Sequence, residues 1–470
     1  MASDPSAPAA SAPASASLRR AESSSGCVRY RLWARLYGLG AFAHLTLPDA
    51  LQWSWLLPNL ALAIGAAWLL WRAPVDRSAA VPWALCALGI AVPLLWLGDQ
   101  LTQSVTMLAG ALATLATTPW RSRDDRALMR VLRWVMVTAY GLAAFHKMNH
   151  DFLDPALSCA TGGMRLLAEN WSLPAPPDGL GPLWPPLFLA VEVGLALSFR
   201  LWPRLAFGLA IAMHLPLTIV FAPSFAWVMI PGWVAFATPR DVRYFCAFGR
   251  RHRTRVLAVG LLLGVLSQGL YFIDHWVSYP AWQIKEFLLW PLAVWILAAM
   301  VRAPRVLFHR RVWRAPVEPG LRRMLPLVFV LALLGNGFTP YLGVQFHHTS
   351  AMLSNLRIDD ECWNHLFVPE AVRLHDPYGR VEHIDVGGPV PGRAALSEIA
   401  RDRLWHPASL RPAIAEWCAH GASPTALTIR FQGVVSTYED VCEEPLDLPA
   451  QSPGRFQTNL ARGCEERCIH

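Results

Sequence analysis

The stretch VEVGLALSFRLWPRLAFGLAIAMHLPLTIVFAPSFAWVMIPGWVAFATP, residues 191–239, decides the fold. Extended back to about residue 184, it contains two apolar runs, 184–201 and 203–221, that meet at the tight turn RLWPR. Each is close to the roughly 20 residues a helix needs to cross a bilayer, so the turn makes them antiparallel membrane neighbours. A shorter run at about 223–239 follows, and Pro216, Pro223 and Pro231 interrupt these helices and can expose backbone groups to a cavity. Two ionisable side chains, Glu192 and His214, lie inside the first pair. Such groups are costly in lipid, so they face a bundle interior and mark a pathway or a site.

The rest of the chain has the same character. Its 470 residues are 54% hydrophobic and 16% charged and include 22 tryptophans, the composition of a polytopic membrane protein. Further apolar runs at about 30–47, 53–71, 80–98, 101–118, 127–147, 255–273, 284–301 and 325–343 predict an all-α polytopic membrane helix bundle of about eleven transmembrane helices. With the N-terminus cytoplasmic, 27 of the 41 basic residues flank inner helix ends, against only Lys147, Arg165 and Lys285 on outer ones. The net charge of +8 is therefore an orientation signal, and basic clusters set beside membrane helices argue against nucleic acid as a partner.

Residues 1–26 are Ala/Ser/Pro-rich and lack the apolar centre of a secretory signal, so they read as a disordered tail before a transmembrane domain over 27–344. An odd number of spans puts residues 345–470 outside, as a small mixed α+β extracytoplasmic region in which TALTIRFQGVV alternates like strands. That region holds Cys362, Cys418, Cys442, Cys464 and Cys468, which predicts one or two disulfides in an oxidising compartment. Cys27, Cys86, Cys159 and Cys246 read as buried or incidental.

A polar cluster closes the fifth apolar run: AAFHKMNHDF, residues 143–152. Of the 41 basic residues, 39 are arginine and only Lys147 and Lys285 are lysine. Of the two types only lysine gives up its proton readily inside a protein, so Lys147, crowded by His146, Asn149, His150 and Asp151, is a candidate base. The alternative is a lysine that snorkels to the headgroups. At a rise of roughly 1.5 Å per residue, Glu192 and His214 lie about 10–12 Å below the outer surface, where they and Lys147 can line one cavity. A hydrogen-bonded pair that joins two helices is the competing reading for Glu192 and His214. Asp99 suits an N-cap. His347, His348 and His365 with Asp359, Asp360 and Glu361 lack metal-ligand spacing, so no metal is expected. No phosphate loop, nucleophile elbow or zinc-protease motif is present in the sequence.

Three segments together resemble the vitamin K-dependent gamma-carboxylase-like membrane proteins, the horizontally transferred transmembrane domain family. GLAAFHKMNHDFLDP (141–155) is similar to the segment in which a lysine at an outer helix end precedes an Asp/Asn and an aromatic residue. Residues 191–239 resemble the family's acidic helix, histidine-bearing helix and F-x-x-x-M helix, and GFTPYLGVQFHHTSAMLSNLRIDDECWNHLFVP (337–369) its N-G-x-x-P-Y-x-G and M-x-S-N-L segment. The resemblance implies that Lys147 is the base that deprotonates reduced vitamin K, a menaquinol-like isoprenoid quinone entering from membrane lipid. Its epoxidation would drive carboxylation of glutamate in an extracytoplasmic protein or peptide substrate. On that reading His146, Glu192 and His214 support Lys147 in catalysis, and Asn149, Asp151 and Met229 bind the cofactor. The chain departs from the carboxylase pattern at His146-Lys147, where a lysine pair is usual, at Asp99-Gln100, where a histidine is usual, and in lacking a large outer substrate domain. A non-catalytic scaffold or lipid-binding protein is the alternative, and a transporter a third.

Overall fold

In the computed structural model the described residues are 14–46, 55–97, 103–122, 124–170, 173–220, 225–275, 287–302, 323–359, 361–374, 376–387, 401–419, 423–444, 446–447 and 460–464. Asp99, Gln100, Pro223, Lys285, Asp360 and Cys468 lie outside them. The chain is mostly helical, and helix α6 (Arg126–His146) is the axis of the helical body. Around it pack α4 (Ser104–Thr117), α9 (Trp184–Leu201), α11 (Phe225–Trp233) and α14 (Leu325–Phe338). Asp125, which precedes α6, pairs with Arg29 of α1 (Ala14–Leu45), and both side chains are buried. Arg29, an inner-flank arginine in the sequence, is thus a tie between two helices. Helix α1 starts at Ala14, so residues 14–26 enter it instead of forming a tail; no proline follows Pro13 to break this Ala/Ser/Leu/Arg-rich segment.

Among the described residues three helices are long and apolar enough to cross a membrane: Arg77–Leu95, Arg126–His146 and Asp178–Leu201. Eleven spans are not supported. Several other apolar runs form shorter helices, at Leu56–Trp71, Phe225–Phe236, Leu289–Arg302 and Leu325–Phe338, and others are halves of helices whose other half is polar. Helix α1 and the 37-residue α12 (Pro239–His275), broken at His252, are of the second kind. Backbone approach is close where small residues permit it. A Cβ on Gly65 of α2 (Leu56–Trp71) would lie 2.7 Å from the Pro82 carbonyl oxygen, and one on Gly89 of α3 (Ala80–Val92) would lie 2.6 Å from that of Pro58.

Beyond α14 the chain forms a five-stranded antiparallel sheet of order β4-β3-β1-β2-β5. Its strands are β1 (Gly379–Gly387), β2 (Arg403–Trp405), β3 (Ser423–Phe431), β4 (Val434–Tyr438) and β5 (Leu460–Ala461). The TALTIRFQGVV alternation becomes the β3–β4 hairpin, whose two-residue turn puts Gln432 and Gly433 at φ 51° and 79°. Among the described residues two disulfides staple this region, Cys362–Cys464 and Cys418–Cys442. Cys159, expected to be buried or incidental, is buried and also disulfide-bonded, whereas Cys86 and Cys246 are free.

Candidate functional site

The polar cluster after α6 is first a helix stop. The Lys147 and Met148 N–H groups close the last turn onto the Ala144 and Phe145 carbonyls, and Asn149 then caps the short helix α7 (His150–Leu153) by accepting from the Phe152 N–H at 2.8 Å. The Asn149 amide donates to the His146 carbonyl at 2.8 Å and the Ser354 carbonyl at 2.6 Å, tying the helix end to the segment after α14. Residues 148–150 run antiparallel beside 364–366: the His150 N–H donates to the Asn364 carbonyl and the Leu366 N–H to that of Met148, both at 3.0 Å. Asp151 accepts from the Asn364 amide at 2.8 Å. Burial raises the Asp151 pKa, opposed by that hydrogen bond.

Beneath this weave lies a pocket with about 850 Å³ of empty space, the open solvent at its mouth included. The wall from α6 is a stripe at helical spacing, Tyr140, Ala143 and Lys147, in which alanine leaves room. Phe188 and Glu192 come from α9, Met213 and His214 from α10 (Pro203–Val220), and Phe225 and Met229 from α11. The near wall is Ser350, Met352 and Leu353. That loop is backbone-strained: His348, Ser350, Leu353 and Asn355 all have φ between 53° and 68°, a region costly for side chains other than glycine. Asn355 holds it in place by accepting from the Cys159 N–H at 2.7 Å and donating to the Leu157 carbonyl at 3.1 Å.

Lys147 Nζ lies 3.0 Å from Glu192 Oε1, donates to the Met352 carbonyl at 3.2 Å and sits 5.9 Å from the Phe152 ring centre. Both members of the pair are buried. Glu192 Oε2 and His214 Nδ1 are buried without a hydrogen-bond partner. The other nitrogen of His214 faces the Tyr140 hydroxyl at 2.7 Å, and Trp233 Nε1 donates to the same hydroxyl at 3.2 Å.

Nothing among protein-family models, characterised proteins or solved structures matches this chain. The site therefore has to be read from its own geometry. Of the sequence candidates, Lys147, Glu192, His214 and Met229 share the cavity wall. His146, Asn149 and Asp151 do not. His146 donates from Nε2 to the Thr349 carbonyl at 3.0 Å, so its Nδ1 accepts from the Tyr341 hydroxyl at 2.8 Å and neither nitrogen is free for chemistry. His365 is likewise committed, donating from Nε2 to the Phe145 carbonyl at 3.0 Å while Nδ1 accepts from the Phe367 and Val368 N–H groups. Asp359 holds Arg357, and among the described residues no group of three or more His, Cys, Asp or Glu side chains could hold a metal ion. Sequence reading missed Tyr140, Trp233 and the 350–353 loop. Tyr140 was findable, since it lies seven residues before Lys147 and so on the same helix face.

Proposed function

We propose that this protein is an integral membrane enzyme that binds a reduced isoprenoid quinone of the vitamin K type and uses Lys147 as a base. The observation that carries this reading is the buried Lys147–Glu192 pair on the wall of a mostly apolar cavity. An apolar ring with oxygen substituents fits that wall, because Glu192 Oε2 and His214 Nδ1 are buried polar atoms that lack partners and that ligand oxygens would satisfy. Met229 and Phe225 offer soft apolar contact. When bound, the reduced quinone would supply, through its oxidation by dioxygen to the epoxide and water, the energy that couples to carboxylation of a glutamate side chain by carbon dioxide. The chain's own part is to exclude water and to move one proton: with the pair's shared proton on Glu192, the free amine of Lys147 takes the proton of the ligand hydroxyl.

The cysteines support the orientation read from the arginines, N-terminus cytoplasmic and C-terminal region extracytoplasmic. Cys159, Cys362, Cys418, Cys442 and Cys464, all in segments assigned to the outer side, are disulfide-bonded, whereas Cys86 and Cys246 are free. A non-catalytic quinone- or lipid-binding protein is the second reading, favoured by the fastening of Lys147 to both Glu192 and the Met352 carbonyl. Membranes supplied with reduced quinone, dioxygen and bicarbonate separate the two. Quinone epoxide made by wild type and lost in Lys147→Arg, which keeps the charge but does not give up its proton to become a base, supports the enzyme. No epoxide from wild type, or undiminished turnover in the variant, overturns it.

A further inference from the structure

Three helices converge on His214. Trp233 of α11, Tyr140 of α6 and His214 of α10 form one buried hydrogen-bonded row, with separations of 3.2 Å and 2.7 Å. Proton counting fixes its direction. An indole N–H can only donate, so the Tyr140 oxygen accepts from Trp233 and keeps its own hydrogen for His214 Nε2. Nε2 is then an acceptor, and the neutral ring carries its proton on Nδ1. The opposite tautomer would leave the Tyr140 hydrogen unused and turn Nδ1 into a bare buried acceptor. Nδ1 is the nitrogen that lacks a partner, on a residue of the cavity wall. Glu192 Oε2, an acceptor on the same wall, is its complement.

We propose that His214 is a fixed hydrogen-bond donor to the ligand: its Nδ1–H, locked by Tyr140 and Trp233, donates to an oxygen of the molecule that Lys147 and Glu192 also meet. Tyr140 and Trp233 are positioning residues that act through His214. This rests on the quinone reading for the ligand's identity, though the tautomer itself does not. The site then selects molecules with two oxygen functions, one that gives up a proton and one that accepts a hydrogen bond, over hydrocarbon of equal size.

Protein labelled with ¹⁵N-histidine tests the lock without turnover. The expected spectrum shows His214 protonated at Nδ1 in wild type and a mixture of tautomers in Tyr140→Phe; an Nε2-protonated ring in wild type overturns the proposal. Affinity for a short-chain 1,4-naphthoquinone and its hydroquinone, followed by tryptophan quenching, tests the donor. An asparagine amide superposes on Nδ1 and a glutamine amide on Nε2. His214→Asn should therefore stay within about threefold of wild type and His214→Gln fall about tenfold or more, as one lost hydrogen bond in an apolar site implies. Equal affinity in folded His214→Gln and wild type overturns the donor role. Absence of naphthoquinone binding by wild type overturns the quinone reading instead, and the ring-nitrogen spectrum then decides the tautomer lock by itself.

Discussion

Lys147 and Glu192, 45 positions apart in the chain, meet at 3.0 Å with side chains 6% and 5% exposed. A pair buried this deeply is costly to break from one side, because the survivor keeps its desolvation penalty and loses its partner. Lys147→Met or Glu192→Leu alone should therefore destabilise the protein by about 3–5 kcal/mol, and the double variant should recover most of that loss. Denaturant unfolding in detergent measures it; a double variant as unstable as the worse single would reject the pair as the cause.

His365 links the C-terminal region to the end of α6, and burial holds its pKa below the ordinary histidine value, against the raising effect of its bond to the Phe145 carbonyl. Its Nδ1 already accepts two backbone N–H groups, so the folded state resists the second proton. The unfolded chain takes that proton more readily. This contribution to stability is thus full above about pH 6.5 and is lost as pH falls from there towards the lower folded value. His365→Asn, which retains an acceptor, should flatten this acid arm in thermal melts run from pH 7.5 to pH 5. An unchanged slope would assign the arm to other groups.

Helix proximity makes two glycines behave differently. At Gly89 an added side chain meets the Pro58 carbonyl oxygen and the Leu62 backbone, so Gly89→Leu should cost about 2 kcal/mol or more and separate α2 from α3. At Gly141 of α6 an added Cβ meets nothing within 4 Å, so Gly141→Ala should be neutral or stabilising by up to about 1 kcal/mol. Parallel melts of the two variants check both.

The Cys362–Cys464 bridge closes 102 residues of chain and brings β5 back beside Arg357, which donates to the Ala461 and Gly463 carbonyls at 2.9 Å and 3.0 Å. Loop-closure entropy for a ring of this size is about 4–5 kcal/mol at room temperature. Cys362→Ser with Cys464→Ser should loosen the sheet before the helical body. Limited proteolysis should then cut the 401–464 segment first, and equal resistance in both forms would count against the bridge as the main constraint.

How far the sequence foretold this site depends on what each residue answers to. Glu192 and His214 were legible because an ionisable group in an apolar run is costly without a partner or a role. Lys147 was legible because arginine replaces lysine nearly everywhere else. His146 misled because neighbours in sequence point about 100° apart on a helix: the stripe Tyr140–Ala143–Lys147 faces the cavity, and His146 faces Tyr341. Asn149 and Asp151 were rightly seen as unusual, yet their work is to end one helix and fasten a distant loop. Trp233 was invisible, one tryptophan among 22, until tertiary packing set it behind Tyr140. The count of eleven spans failed for a different reason: hydropathy records where a chain is apolar, not where its helices stop.

The carbonyl that receives the Lys147 ammonium belongs to Met352, 205 residues further along the chain. A nascent chain therefore carries Lys147 long before it carries the wall that covers it. Until the last apolar helix and the loop behind it have been synthesised, Lys147 and Glu192 lack the Ser350, Met352 and Leu353 side of their pocket. Synthesis of the 350–353 loop, not of the helices alone, thus supplies the wall over the pair, and a chain cut anywhere before residue 350 would keep Lys147 and Glu192 without it.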